Sequence, residues 1–141
     1  MSKTAVLLLL FLAALPLAAQ EDPVQVVGLT LAAVYARYGI PESVHAVRGA
    51  EEWQDDVVFV YKDWDLYIYQ DRVWQVGLKS AFGINLGDPS GVAFLILGEK
   101  VQSFDGYLLY SLPPRSWPLQ LRLNLDGAGK VAAIYIYRSD F

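Results

Sequence analysis

Leu119-Gln-Leu-Arg-Leu-Asn-Leu125 alternates apolar and polar side chains without a break, and no other stretch of the chain restricts the fold as strongly. A period of two places Leu119, Leu121, Leu123 and Leu125 on one face and Gln120, Arg122 and Asn124 on the other. That is the signature of a half-buried strand in an antiparallel sheet with one wet face. Asp126-Gly-Ala-Gly129 is a hairpin-sized turn, and Lys130 to Arg138 is the returning strand. A four-residue loop predicts Leu121 opposite Ile134 and Leu119 opposite Ile136. A slip of one residue would set leucine against tyrosine and expose the isoleucines. The wet face then carries Gln120, Arg122, Asn124, Tyr135 and Tyr137.

A sheet with one oily face needs a cover, and two short helices are written for that purpose. In Gly28 to Pro41, Thr30 suits the N-cap, and Leu31, Val34, Tyr35 and Tyr38 fall at i, i+3, i+4 and i+7. Gly39 supplies a left-handed C′ residue and Pro41 forbids continuation, so the helix spans Leu31 to Tyr38 and is too short to persist unpacked. The second helix is expected over Pro89 to Leu97, with Asp88 as N-cap, Pro89 at N1, Gly98 at the end and Gly91 as a weak point.

Around these helices the reading is of a short lead strand at Val24, Val26 and Val27, then an aperiodic loop from Glu42 to Gln54. Three strands follow at Val57 to Lys62, Leu66 to Gln70 and Trp74 to Lys79, and three more at Gly106 to Leu112, Leu119 to Leu125 and Lys130 to Arg138. The proline-bounded segment Pro113 to Pro118 is a loop. If Asp71-Arg72-Val73 is a three-residue turn, Leu66, Ile68, Trp74, Val76 and Leu78 point inward and Tyr67 and Tyr69 outward. Local echoes, such as Val58-Phe-Val-Tyr61 with Tyr107-Leu-Leu-Tyr110 and Trp64-Asp-Leu66 with Trp117-Pro-Leu119, suggest an internal repeat. The expected architecture is α+β: two related α-β-β-β units, about 24–79 and 83–138, forming one antiparallel sheet with both helices on one side.

The first 20 residues are one basic residue, Lys3, an uncharged apolar run from Ala5 to Leu15, and small residues through Ala19 and Gln20. This is the pattern of a secretory signal peptide, and the run is too short to span a bilayer comfortably. The reading places residues 1–20 in a signal peptide and 21–141 in one domain, extracytoplasmic and without a membrane span after cleavage. The chain has no Cys, hence neither a lipid-accepting thiol nor a disulfide framework. Its net charge of −4 and lack of any basic run argue against nucleic acid as a partner.

Chemistry is sparse. His45 is the only histidine, which disfavours His-rich metal sites, and no Gly-x-Ser-x-Gly elbow accompanies a serine. Glu51, Glu52, Asp55 and Asp56 form the densest acidic cluster, but without a calcium-loop pattern, and they read as a solvated patch. No cofactor or metal is expected. Asp63 and Asp65 flank Trp64 in a way that suits sugar stacking, a small hydrolase or a plain tight turn. Outward tyrosines suit a protein-binding surface, since Tyr, Trp and Arg are favoured anchors; they are also simply good strand formers.

The residues Gly28, Thr30, Val34, Tyr38, Gly39 and Pro41, with Gly83, Leu97 and Gly98 in a weaker second copy, resemble the helix-and-meander pattern of the SmpA/BamE family of outer-membrane assembly lipoproteins. As a tandem pair they resemble the β-lactamase-inhibitor-protein (BLIP) architecture. The resemblance implies a curved sheet, two helices on its other face, and extracytoplasmic binding without catalysis. The chain lacks the cysteines of both groups, so no β-lactamase target is implied. The resulting expectation is a non-enzymatic module that binds another envelope or secreted protein. Trp64, Tyr67, Tyr69, Trp117, Arg122, Tyr135 and Tyr137 would engage it; a carbohydrate-binding protein or hydrolase using Asp63 and Asp65 is the alternative.

Overall fold

Eight strands form one antiparallel sheet in a computed structural model that describes residues 21–49, 51 and 56–140. The first four are β1 (Ser43–Val47), β2 (Asp56–Val60), β3 (Trp64–Tyr69) and β4 (Arg72–Leu78). A two-stranded ribbon, β5 (Ser80–Ala81) with β6 (Ile84–Asn85), links them to β7 (Gln102–Phe104), β8 (Tyr107–Ser111), β9 (Leu119–Leu125) and β10 (Val131–Arg138). The order across the large sheet is β1-β2-β3-β4-β10-β9-β8-β7, so the two meanders meet at their last strands. Helices α1 (Leu31–Tyr38) and α2 (Ser90–Leu97) each precede a meander. Residues 1–20, where the signal peptide is expected, lie outside the described part.

Helix α1 takes its expected bounds: Thr30 Oγ1 accepts from the Ala33 N–H at 3.2 Å, and Gly39 ends it at φ 72°. The start of α2 differs. Pro89 is the N-cap and no side chain caps the helix, because the Asp88 carboxylate instead accepts from the Asn85 N–H at 2.8 Å. The Asp88 carbonyl accepts from the Val131 N–H at 2.9 Å, so this residue ties the helix entry to β10.

Two expected irregular or extended segments are corrected. The valines expected in a lead strand lie in and just after a 3-10 turn, Pro23–Gln25, because Pro23 fixes a helical φ and Asp22 caps it by accepting from the Val24 N–H at 3.0 Å. Val26 and Val27 are buried all the same. The stretch taken as a loop after Glu42 contains β1, paired continuously from Ser43 with Val60 to Val47 with Asp56. As an edge strand, exposed along most of its length, β1 carries no burial alternation to read. With β7 also added, each helix leads into four strands rather than three.

The register of the final hairpin is shifted by two residues from expectation: Ile134 faces Leu123 and Ile136 faces Leu121, after a bulge between Val131 and Ala133. The bulge adds to a loop already lengthened by one residue, and the even total leaves the side chains beyond it on their expected face, while Val131, ahead of the bulge, turns into the core. Between β3 and β4 the consequence is larger. Gln70 and Asp71, at φ 45° and 63°, form a two-residue turn that pairs Tyr69 with Arg72. A bulge then moves Tyr67 opposite Gln75 while Ile68 faces Val73. Val73 takes the buried inner position, and Trp74, expected inside, joins the outer face.

The core lies between the inner sheet face and the helices. Leu66, Val76, Leu121, Leu123, Ile134 and Ile136 contribute from the sheet, Val34 and Ala93 from the helices, and Val26 and Ile84 from the connections. Each fully buried Leu or Ile stabilises the fold by roughly 1.5–3 kcal/mol, and the leucine alternation of β9 is how the sequence directs them there.

Candidate functional site

The face turned away from the helices is built by β-strand parity. Tyr67 and Tyr69 come from β3, Trp74, Gln75 and Gly77 from β4, Tyr135 and Tyr137 from β10, and Gln120 and Arg122 from β9. Val47 of β1 and Leu109 of β8 line one cleft of about 570 Å³ on this face, together with Asp56, Tyr67, Trp74, Gln75, Gln120 and Tyr137. Those two strands stand six positions apart in the sheet, which in a flat sheet is about 29 Å. The sheet therefore curls, and its outer face is concave.

Rings pack edge to face across the floor. Tyr67 and Tyr135 have centroids 6.0 Å apart at 82°, and Trp74 and Tyr137 lie 6.4 Å apart at 79°. Gly77 lies beneath the first pair, where a Cβ would be in ordinary contact with Tyr135 Cε1 at 3.5 Å and Tyr67 Cε2 at 3.6 Å. Trp74 Nε1 donates to the Asp56 carboxylate at 3.0 Å, and Asp56 is only 8% exposed. Arg122 lies over the Tyr107 ring with Cζ 3.9 Å from the centroid, while its Nε donates to Asn124 Oδ1 at 2.7 Å. Burial pushes the Tyr67 and Tyr137 phenols above their ordinary value; the Arg122 charge opposes the shift of Tyr137 only in part. At neutral pH the Tyr67 and Tyr137 phenols are uncharged, Arg122 and the cleft-lining Arg138 are the cations of this face, and Asp56 and Asp65 are its acidic groups.

Of the residues singled out from sequence, Tyr67, Tyr135, Tyr137 and Arg122 come together here. Tyr69 shares the face at its hairpin end, where its hydroxyl accepts from Gln70 Nε2 at 3.3 Å. The two tryptophans do not join them. Trp64 opens β3 on the inward parity of Leu66, and its ring stands edge-on to Tyr38 at 5.2 Å. Trp117 packs over Gly28 and under the Arg138 guanidinium, whose Cζ is 4.4 Å from the ring centroid. Both rings serve the core side of the sheet.

Asp63 and Asp65 are also separated. Asp63 lines a second cleft, of about 950 Å³, beside Tyr38, Trp64, Lys79 and Phe82, while Asp65 sits on the outer face against Gly77. In that second cleft, burial and then the Glu21 carboxylate push the Tyr38 phenol up to about 12. Of the acidic cluster, Glu52 and Asp55 lie outside the described residues, and among the described residues no group of three His, Asp or Glu side chains is placed to hold a metal. Trp74, Asp56, Gly77 and Tyr107 were not foreseen as site residues. Trp74 could have been found from a two-residue turn ending at Asp71, a residue type that tolerates positive φ, but Gln70 carries no such signal.

No helix among the described residues is long and apolar enough to cross a membrane. No family model and no curated protein matches the chain. Among solved structures, an extracellular protein containing a SCP domain from Bacillus anthracis superposes with a TM-score of 0.55 at 8% identity, over 86% of this chain and 47% of that one. The chain thus spans about half the length of that protein. A DUF4309 family protein (YjgB) from Bacillus subtilis is similar with a TM-score of 0.48 at 16% identity, over 78% of each chain. Neither is a SmpA/BamE or BLIP protein by name.

Proposed function

We propose that the protein is an exported binding module that holds a segment of another envelope or secreted protein in its concave aromatic face. The observation that carries this reading is a cleft lined by Tyr67, Trp74, Tyr137 and Arg138, with Tyr135 packed edge-on to Tyr67 and Arg122 stacked on Tyr107 on the same face. Desolvated aromatic and arginine side chains are the groups that dominate protein interfaces, and pre-packed rings lose little further freedom on binding. A catalytic role for Asp63 and Asp65 is disfavoured because they belong to different faces. Export is supported by the N-terminal pattern and by a fold shared with a protein described as extracellular. The mirrored strand order, with a helix before each meander, supports duplication of one unit.

A second reading, an uncharged carbohydrate in the same cleft, is favoured by the carboxamides of Gln75 and Gln120 beside Trp74 and Tyr137. Affinity capture from the exporting cell tests both, comparing the natural protein with a Tyr67→Ala, Tyr137→Ala variant whose fold is verified by circular dichroism. A specific protein recovered only by the natural sequence is the expected result. Equal recovery by both would remove this face from the account. Elution of the captured material by an oligosaccharide would favour the second reading.

A further inference from the structure

The two edges of the sheet are not alike. At one edge β7 is three residues long, a short border of the kind that discourages pairing. At the other, β1 runs five residues in unbroken register with β2, without proline, lysine or a bulge, and among the described residues nothing pairs with its free side. Val44 is 52% exposed on this strand, and Val57 beside it is 42% exposed. An open row of backbone N–H and C=O groups is a template on which another extended strand can pair.

The sequence of this edge is complementary to itself. In an antiparallel pairing about a twofold axis through His45, Val44 meets Ala46 of the second copy and Ser43 meets Val47. Glu42 meets Arg48 at one end and Arg48 meets Glu42 at the other. Glu42 and Arg48 are exposed and take part in none of the ion pairs among the described residues. Apolar residues thus meet on one face, and Glu42, at the bend entering β1, and Arg48, just past its end, bring opposite charges together at both ends. We infer that the occupant of this edge is a second copy of the chain, joined β1 to β1 in a symmetric dimer that continues the sheet through the interface. An isologous contact of this kind closes on itself and does not propagate into fibres. The axis is perpendicular to the sheet, so both concave faces open in the same direction.

Sedimentation velocity on the exported, purified protein tests this over about 1–100 µM, a range that brackets a micromolar association. A concentration-dependent monomer–dimer equilibrium is expected. Glu42→Arg alone or Arg48→Glu alone replaces two attractive pairs by two repulsive ones and should weaken association about tenfold. The combined Glu42→Arg, Arg48→Glu variant restores opposite charges and should return to within about threefold of the natural protein, an outcome that general damage to the fold would not give. A monomer at every concentration overturns the inference. So does a dimer indifferent to the single reversals, or one that the double reversal fails to rescue. Ligand capture by the concave face does not depend on either result, so the two ideas fail separately.

Discussion

The Trp117 ring lies against the bare Cα of Gly28, so closely that a Cβ built there would overlap the Cζ2–Cη2 edge of the indole. Gly28 also has φ +93°, a conformation that other residues adopt only under strain. The pair fastens the proline-bounded loop after β8 to the entry of α1, 89 positions away in sequence numbering from Gly28 to Trp117. Gly28→Ala should therefore destabilise the protein by about 3 kcal/mol or more through combined clash and strain. Urea unfolding of Gly28→Ala, Trp117→Ala and the pair would show strong non-additivity, since the second change removes the atoms that the first one strikes.

Gly77 has a different tolerance. Its φ is not among the positive ones, and a lone Cβ would make only ordinary contacts at 3.5–3.6 Å. Gly77→Ala should change stability by less than about 0.5 kcal/mol, whereas Gly77→Leu should displace the Tyr67 and Tyr135 rings. Comparing ligand capture by the two variants separates the role of the cleft floor from that of the fold. Loss of binding with Leu and retention with Ala is the expected pattern.

Trp74→Phe keeps most of the ring but deletes the N–H that donates to the nearly buried Asp56. A hydrogen bond to a charged acceptor contributes about 1.5–3 kcal/mol, so the variant should lose an amount in that range by thermal or denaturant unfolding. A loss too small to measure would show that Asp56 does not depend on this donor.

Alkaline pH should unfold the protein more readily than its acidic composition suggests. The phenols of Tyr38, Tyr67 and Tyr137 are all raised by burial in the folded state, Tyr38 to about 12. Above pH ~10 the unfolded chain releases these protons while the folded one still holds them, so stability falls as pH rises. Below that value their contribution is complete and constant. Tyrosinate absorbance titrated in the folded protein should lag behind that in denaturant, and the unfolding midpoint should decline over the same window.

How far the chain can be read without coordinates is seen element by element. The Thr30 and Gly39 caps bound α1 because capping is a contact within a few residues. The faces of β9 and β10 follow from alternation, and they survived a two-residue error in register because the error was even. Trp74, by contrast, changed faces because the turn has two residues rather than three, which sets Val73 opposite Ile68 on the inner side; the bulge that follows returns Val76 to the inner face. Trp64 was misplaced because its side depends on where β3 begins. Strand β1 was missed because an edge exposed along most of its length carries no pattern of burial.

Local chemistry alone therefore determined the bounds of α1, the amphipathic sheet, the inward set of Leu121, Leu123, Ile134 and Ile136, and the outward Tyr135 and Tyr137. Only the tertiary structure decided that the outward face is hollow, that the Tyr67 and Tyr135 rings meet over Gly77, and that Trp64 and Trp117 belong to the other side. The physical reason is range. Caps and alternation act between neighbours along the chain, whereas curvature, bulges and ring packing arise between strands brought together from distant parts of the sequence.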